Sequence, residues 1–338
     1  MYWKYFCSVI VFDIANIIKR RPRDIDLTIP RMIAKEEGKT VIGTYLRMLF
    51  SLLITGSTFR EYYNLGFAKR KLSNQCTYIT TASNMKAYSI MNDKRRNNTF
   101  LNKETFNKVY AQFIARDWIC LSDERQSIYS FFAEHDHIVV KPKTGDSGNG
   151  VFVLHGCQKM GKTDIDAIVH DHTDCIIEEV LYNHEALNCL NPSSLNTMRI
   201  ITIRTGEALD ILFAGIRYGA KGAEIDNISQ GGYIAPIDID SGVICGPSLQ
   251  KKNIARVDSI EENYEGLKIP YWENLYEYLL RLTSVIPEMR YMAWDIAITE
   301  HGFATIEGNH SSGNTIIQAH LGINQNGLKE KLDRLLLA

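Results

Sequence analysis

The sequence has no CxxC pair, no surplus of either charge sign and no uninterrupted apolar run of membrane length. Its seven cysteines, at 7, 76, 120, 157, 175, 189 and 245, are odd in number and scattered. A disulfide framework or cysteine-rich zinc site is therefore not expected, and a reduced, cytoplasmic chain is. Lys and Arg number 38 against 39 Asp and Glu, a formal charge of -1. That removes the electrostatic basis of a dedicated nucleic-acid binder, so no nucleic-acid partner is expected. With only 8 Pro, 23 Gly and 45% apolar residues, the 338-residue chain is neither disordered nor collagenous. Its length suggests about two domains. It carries no internal repeat and no low-complexity tract.

The first segment, Tyr2 to Ile18, is apolar but broken by Lys4 and Asp13, and Lys19-Arg20-Arg21 follows it. A signal peptide places its charges before the apolar stretch, so this is not one, and it is short for a membrane span. The expectation is an amphipathic helix buried against its domain, with peripheral docking at the inner face of the membrane as the alternative. The run Tyr45 to Thr55 reads as a core helix despite Arg47.

Residues 1–98 read as helical and aromatic-rich, closed by the polar stretch Asn92 to Asn98. Asn102 is placed to cap a helix from Lys103 to about Ala115. Beyond it, β-branched runs bounded by Gly, Asn and Asp predict strands at 138–141, 151–154, 175–180, 199–203, 209–217, 233–238, 293–299 and 303–307. Trp272 to Ile286 reads as an amphipathic helix stopped by Pro287, and Gly327 to Leu337 as another. Strands interleaved with helices predict α/β or α+β.

Three stretches could carry chemistry. Lys141-Pro-Lys-Thr144-Gly145-Asp-Ser147-Gly148-Asn-Gly150 lies between two strands. It is either a loop whose backbone N–H groups gather on a phosphate or a plain glycine-rich hairpin. Gly156-Cys-Gln-Lys-Met-Gly161-Lys162-Thr163 fits the P-loop pattern. A P-loop opens a parallel βαβ unit with a sizeable helix, and only Asp164 to His172 precedes the next strand, so coincidence is the better reading. Asp295 and Glu307 fall opposite each other if their strands form a hairpin around Glu300-His-Gly302, and Asn309 shares the face of Glu307. Two carboxylates and an amide oxygen suit Mg²⁺. The alternative is a pair of strand carboxylates bonded to nearby Lys or Arg. His301, His310 and His320 lack zinc-site spacing and read as surface groups.

The strand lysine with its glycine loop, the strand Ile176-Ile-Glu-Glu-Val-Leu181 and the closing Asp295, Glu307 and Asn309 resemble the ATP-grasp superfamily. D-alanine–D-alanine ligase is a distant relative with the same sequence of elements. Phe59-Arg-Glu-Tyr-Tyr63, Asn191 to Arg199, Asp226-Asn227 with Gly231-Gly232, and Trp294-Asp295-Ile-Ala most resemble the sugar-transfer-associated members found among capsule and exopolysaccharide genes. The resemblance implies an α+β fold in which two subdomains, 99–186 and 187–338, clasp ATP behind an N-terminal helical region, 1–98. It implies that Lys103 and Lys141 hold the phosphates, that Thr144, Gly145, Ser147, Gly148 and Gly150 belong to a lid, and that Glu178, Glu179, Val180 and Leu181 form the adenine hinge. Glu185 would meet the ribose, Asp295, Glu307 and Asn309 would bind Mg²⁺, two ions being expected, and Arg199 and Arg217 would stand near the transferred phosphoryl. Asn227 would lie on the acceptor side.

The activity implied is an ATP-dependent carboxylate–amine ligase acting through an acyl phosphate on a sugar acid or its precursor, beside a membrane or a glycosyltransferase. A kinase of a sugar hydroxyl and a non-catalytic nucleotide-binding protein are the alternatives. Ser312 departs from the Pro common at that place in relatives, and helices replace an α/β domain before residue 98. Phosphoryl transfer rests on positioning and charge neutralisation, so no Ser-His-Asp or Cys-His set is required.

Overall fold

The computed structural model describes residues 28–145, 148–226, 228–250, 264–311, 313–322 and 324–337. The helix expected over Tyr2–Ile18, together with Ser147, Asn227 and Ser312, lies outside the described residues. The chain divides into two compact units. Among the described residues the first comprises 28–91 and 311–337, and the second 92–250 and 264–310.

The first unit opens with helices α1 (Thr28–Glu36), α2 (Val41–Thr55), α3 (Phe59–Asn64) and α4 (Thr81–Met91). Thr40 caps α2 by accepting from the Gly43 N–H, and Gly56 ends it at φ 69, where a side chain would be strained. Thr58 and Glu61 form a reciprocal capping box on α3. Met48, Tyr62, Leu65, Phe67 and Tyr78 make the core. The expectation of α2 as a core helix needs correcting. It buries Thr44, Met48 and Ser51 and leaves Ile42, Leu46, Phe50 and Leu53 exposed.

The second unit contains two antiparallel sheets. Strands β1 (Trp118–Cys120), β2 (His137–Pro142), β3 (Phe152–His155) and β4 (Cys175–Glu179) form one, in the order β1-β4-β2-β3. Strands β5 (Thr197–Thr205), β6 (Ala208–Tyr218), β7 (Tyr233–Pro236), β8 (Leu249–Gln250), β9 (Tyr291–Thr299) and β10 (Gly302–Asn309) form the other, in the order β10-β9-β5-β6-β7-β8. Helix α5 (Lys103–Val109) starts where Asn102 accepts from the Thr105 N–H at 2.9 Å. It stops short of Ala115, because Tyr110 leaves helical geometry and a separate turn, Ala111–Ile114, ends at Ala115 with φ 49.

Helices α6 (Arg125–Glu134) and α7 (Lys162–Asp171) bury Ile128, Phe131, Phe132, Ile165 and Val169 against Ile138, Val140 and Ile177 of the first sheet. The antiparallel sheet rules out a P-loop topology. Gly161 instead precedes α7 as its cap, with the Asp164 carboxylate accepting its N–H, and Lys162 Nζ sits 5.0 Å over the Tyr129 ring.

Alternation sorts the second sheet into two faces. Met198, Ile200, Ile216, Trp294, Ile296 and Ile298 pack against Leu275, Leu279 and Leu282 of α8 (Trp272–Ser284). Burial of each such side chain stabilises by roughly 1.5–3 kcal/mol. The opposite parity of the same strands presents Thr197, Arg199, Arg217, Asp295, Glu307 and Asn309.

Residues 311–337 complete the first unit, ending in α9 (Lys329–Leu337). The sequence reading put its boundary near residue 98 and kept this tail with the second subdomain. Polar bonds explain the observed grouping. Gln318 pairs with both the N–H and the carbonyl of Ile79, and Asn314 donates to the Ile79 carbonyl and to Glu61. His301 is exposed, whereas His310 and His320 are half-buried rather than surface groups. No helix among the described residues is long and apolar enough to cross a membrane.

Candidate active site

Register brings the charged groups of the second sheet together. Asp295 pairs across β9 with Glu307 on β10 and with Arg199 on β5, and Thr197 lies opposite Arg217 on β6. A bulge between Thr305 and Glu307 resets β10 so that Glu307 faces Asp295. Asp295 is buried. Its Oδ2 accepts from Arg199 Nη2 at 3.1 Å and lies 3.0 Å from Arg217 Nη2, while Oδ1 sits 2.7 Å from Arg199 Nε. Arg217 is held from behind by Thr197 Oγ1, 2.7 Å from its Nη2, and by Asp226, 3.6 Å from its Nε. Thr197 in turn donates to Asp226. Asn309 Nδ2 donates to Glu307 Oε1 at 3.2 Å, which leaves the Asn309 amide oxygen directed elsewhere.

The two carboxylates face each other, as the hairpin reading expected, and Asp295 is ion-paired with Arg199 and Arg217. Burial pushes the Asp295 carboxyl up, to about 7, against the pull of Arg199 and Arg217, and the charge of Glu307 adds to the rise. Burial would also raise Glu307, but its hydrogen bond with Asp295 and the two arginines outweigh that and hold it near 2. Two carboxyls in contact thus favour opposite protonation states, Asp295 being pushed up and Glu307 held down. Asp295 Oδ1 is buried and ion-paired with Arg199 but takes no hydrogen bond. Mg²⁺ takes one or two carboxylates and completes its shell with water and substrate phosphates. Asp295, Glu307 and the Asn309 oxygen fit that donor set. Among the described residues no group of three or more His, Cys, Asp and Glu could hold a metal ion.

The second cluster lies on the first sheet. Lys141, at the end of β2, reaches Glu178 Oε2 on β4 at 2.5 Å. Glu178 is buried, and its Oε1 also accepts from Arg116 at 2.8 Å and Asn107 at 3.0 Å. Burial would raise the Glu178 carboxyl, but the charges of Arg116 and Lys141 outweigh it and hold it well below the usual range. Lys103 Nζ donates to the Gly145 carbonyl at 3.0 Å, and Asn102 bridges Thr144, so the start of α5 is tied to the glycine loop. Gly145, Gly148 and Gly150 all take positive φ. At Gly150 a Cβ would come within 2.9 Å of Pro142, so the loop needs glycine there for space as well as conformation. Gln230 donates to the Gly148 carbonyl at 3.2 Å.

Of the hinge residues, Glu178 and Glu179 lie within β4, where the Glu179 N–H is already bonded to the Asp117 carbonyl. Val180 and Leu181 follow the strand. Glu185 begins a short 3-10 turn with its side chain exposed, and its N–H donates to Glu300 at 2.7 Å. Sequence reasoning missed Arg116 and Asn107 as members of these clusters, and noticed Thr197 only inside the Asn191 to Arg199 motif. Arg116 left the clearest signal, a basic residue between Phe113-Ile114 and Trp118-Ile119. Asp226 was noticed only as part of a motif.

The profile of sugar-transfer associated ATP-grasp proteins matches residues 73–335. No curated protein matches the chain. Among solved structures, the ATP-grasp ligase PsnB complexed with minimal precursor is 12% identical at a TM-score of 0.44, covering 73% of this chain and 62% of that one. D-alanyl-alanine synthetase A from Vibrio cholerae is 14% identical at 0.42, covering 71% and 65%. The macrocyclase MdnC bound with precursor peptide MdnA, from Microcystis aeruginosa, is 13% identical at 0.42, covering 73% and 63%. The chain thus spans less than two thirds of the length of each of these three proteins.

Proposed function

The chain belongs to the sugar-transfer associated ATP-grasp family, and from that membership we propose that it is an ATP- and Mg²⁺-dependent ligase joining a carboxylate to an amine. Its substrate would be a sugar acid, or a precursor of one, in the making of an extracellular polysaccharide, and its amine an amino acid or amino sugar. The setting would be the cytoplasm.

The observation that carries this reading is the buried Asp295, which faces Glu307, is flanked by Arg199 and Arg217, and has one oxygen that takes no hydrogen bond. A carboxylate is a poor electrophile. Its oxygen attacks the γ-phosphorus of ATP, the bond from that phosphorus to the β-phosphate oxygen breaks, and ADP leaves. The amine nitrogen then attacks the acyl carbon, inorganic phosphate departs, and the nitrogen loses a proton.

Mg²⁺ bound by Asp295, Glu307 and Asn309 would supply charge neutralisation on the phosphates. Arg199 and Arg217, fixed by Asp295, Thr197 and Asp226, would offer guanidinium N–H groups to the phosphoryl in flight without reorganising. Lys141 and Lys103 would meet the remaining phosphate oxygens, and the glycine loop would exclude water from the acyl phosphate.

The test is ADP release and positional isotope exchange in ATP, screened across uronic acids with and without amines. Exchange that requires a carboxylate, followed by amide formation when amine is added, is the expected outcome. Exchange without any carboxylate would sink the ligase reading, and a phosphorylated sugar hydroxyl would replace it with a kinase.

A further inference from the structure

The charge balance of the whole chain conceals a strong asymmetry. Residues 1–91 carry 14 Lys and Arg against 6 Asp and Glu, whereas residues 92–310 carry 21 against 31. Residues 28–91 of the first unit lie in the basic part, and their surface includes exposed Arg31 and Lys35 on α1 and Arg47 on α2. Charge separation of this kind favours an anionic partner for one unit only.

The same unit presents an apolar helix face outward. On α2, Ile42 is 75% exposed, Leu46 58%, Phe50 54% and Leu53 50%. Their spacing of four, four and three residues puts them on one stripe. The side turned inward carries Thr44 and Ser51 beside Met48, so the usual distribution is reversed. Met32 on α1 is also exposed. A cavity of about 380 Å³ opens beside the stripe, with Leu46, Phe50, Arg47 and Arg70 in its lining. Arg70 is fixed there by the carbonyls of Leu65 and Leu321. Isolated exposed apolar residues are ordinary; a continuous stripe bordered by cations marks an interaction surface.

We propose that α2 is an interfacial helix that docks the protein on an anionic lipid bilayer. The Ile42, Leu46, Phe50 and Leu53 stripe enters the boundary between headgroups and acyl chains, and Arg31, Lys35 and Arg47 pair with lipid phosphates. The helix has 15 residues, about 22 Å at 1.5 Å each. That is too short to cross a bilayer and suited to lying along its surface. The proposal rests on the first unit alone and is independent of the ligase reading.

Flotation of the full-length protein with phosphatidylcholine vesicles, with and without added phosphatidylglycerol, tests it. The protein is expected to float with the anionic vesicles and to be released as salt rises from about 0.1 to 0.5 M. Leu46→Ser, Phe50→Ser and Leu53→Ser combined should weaken binding at least about tenfold, as should Arg31→Gln, Lys35→Gln and Arg47→Gln combined. All six positions are exposed, so unchanged thermal unfolding is expected of both variants. Failure of the native protein to float, or flotation that ignores both sets of substitutions, overturns the proposal. So does a dimer in the absence of lipid that the serine variant dissociates, since the stripe would then belong to a second copy of the chain.

Discussion

Arg116 and Glu178 form a 2.8 Å ion pair in which both side chains are only 2% exposed. The same guanidinium donates to the carbonyls of Thr305, at 2.9 Å, and Ile306, at 3.4 Å. Those are the two residues before Glu307. One buried arginine thus joins the strand whose carboxylate holds Lys141 to the strand that carries a candidate metal ligand.

Arg116→Met should therefore act on both clusters. It leaves Glu178 with Lys141 as its remaining cation and frees the carbonyls of Ile114, Thr305 and Ile306, for a loss of about 3 kcal/mol. The urea midpoint measures it. In a Glu178→Gln background the same substitution should cost less than half as much, because no buried charge is left behind. Equal losses in the two backgrounds would show that the ion pair is not what holds this region.

Lys162 and Lys141 make opposite predictions. Lys162 lies on the surface of α7 over Tyr129, inside a sequence that mimics a P-loop. Lys162→Ala should leave ATP affinity unchanged and shift stability by less than about 0.5 kcal/mol. Lys141→Ala removes a cation at the mouth of the glycine loop and should weaken ATP binding at least about tenfold, the equivalent of roughly 1.4 kcal/mol. Calorimetric titration with ATP separates the two.

The strands were legible from apolar alternation. The pairing of Asp295 with Glu307 was reached through a three-residue turn, whereas Gly302 pairs with Thr299 and a bulge before Glu307 restores the pair. Lys141 and the glycine loop were legible as punctuation between two strands. Arg116 and Thr197 were not, since their importance lies in contacts with residues 62 and 20 positions away. Helix α2 was misjudged as core. Its apolar residues are dense enough to suggest burial, and sequence does not reveal which face is turned inward. The tail likewise joins the first unit through amide groups of Asn314 and Gln318 that no hydrophobic pattern marks.

His320 gives the first unit a pH dependence of definite sign. Burial lowers its imidazole from 6.5 to about 4. The unfolded chain takes up this proton near its ordinary value, and the folded chain refuses it until far lower. The stability contribution is whole above pH 6.5, declines as pH falls toward 4 and stays lost below. Because the side chain is only half-buried, the loss should be about 1–2 kcal/mol. Unfolding of the native protein and of His320→Gln at pH 7.5 and pH 5 measures it, and the substitution should remove this part of the slope.

Gly308 lies between Glu307 and Asn309, with its α-carbon turned toward the core face of β10. A Cβ there would stand 2.9 Å from the Trp294 ring and 3.0 Å from the Phe100 ring. Trp294 has little room to yield, because it is fully buried and its indole donates to Thr202 at 2.9 Å. Gly308→Ala must therefore push β10 away from the core, at a cost of about 1–3 kcal/mol. The displacement moves the two flanking oxygen donors relative to Asp295. The variant should then need more Mg²⁺ for half-maximal ATP turnover, by about tenfold or more, while remaining folded. Circular dichroism and a Mg²⁺ titration of ADP release make the comparison. An unchanged Mg²⁺ requirement in a destabilised variant would mean that Glu307 and Asn309 do not position the ion.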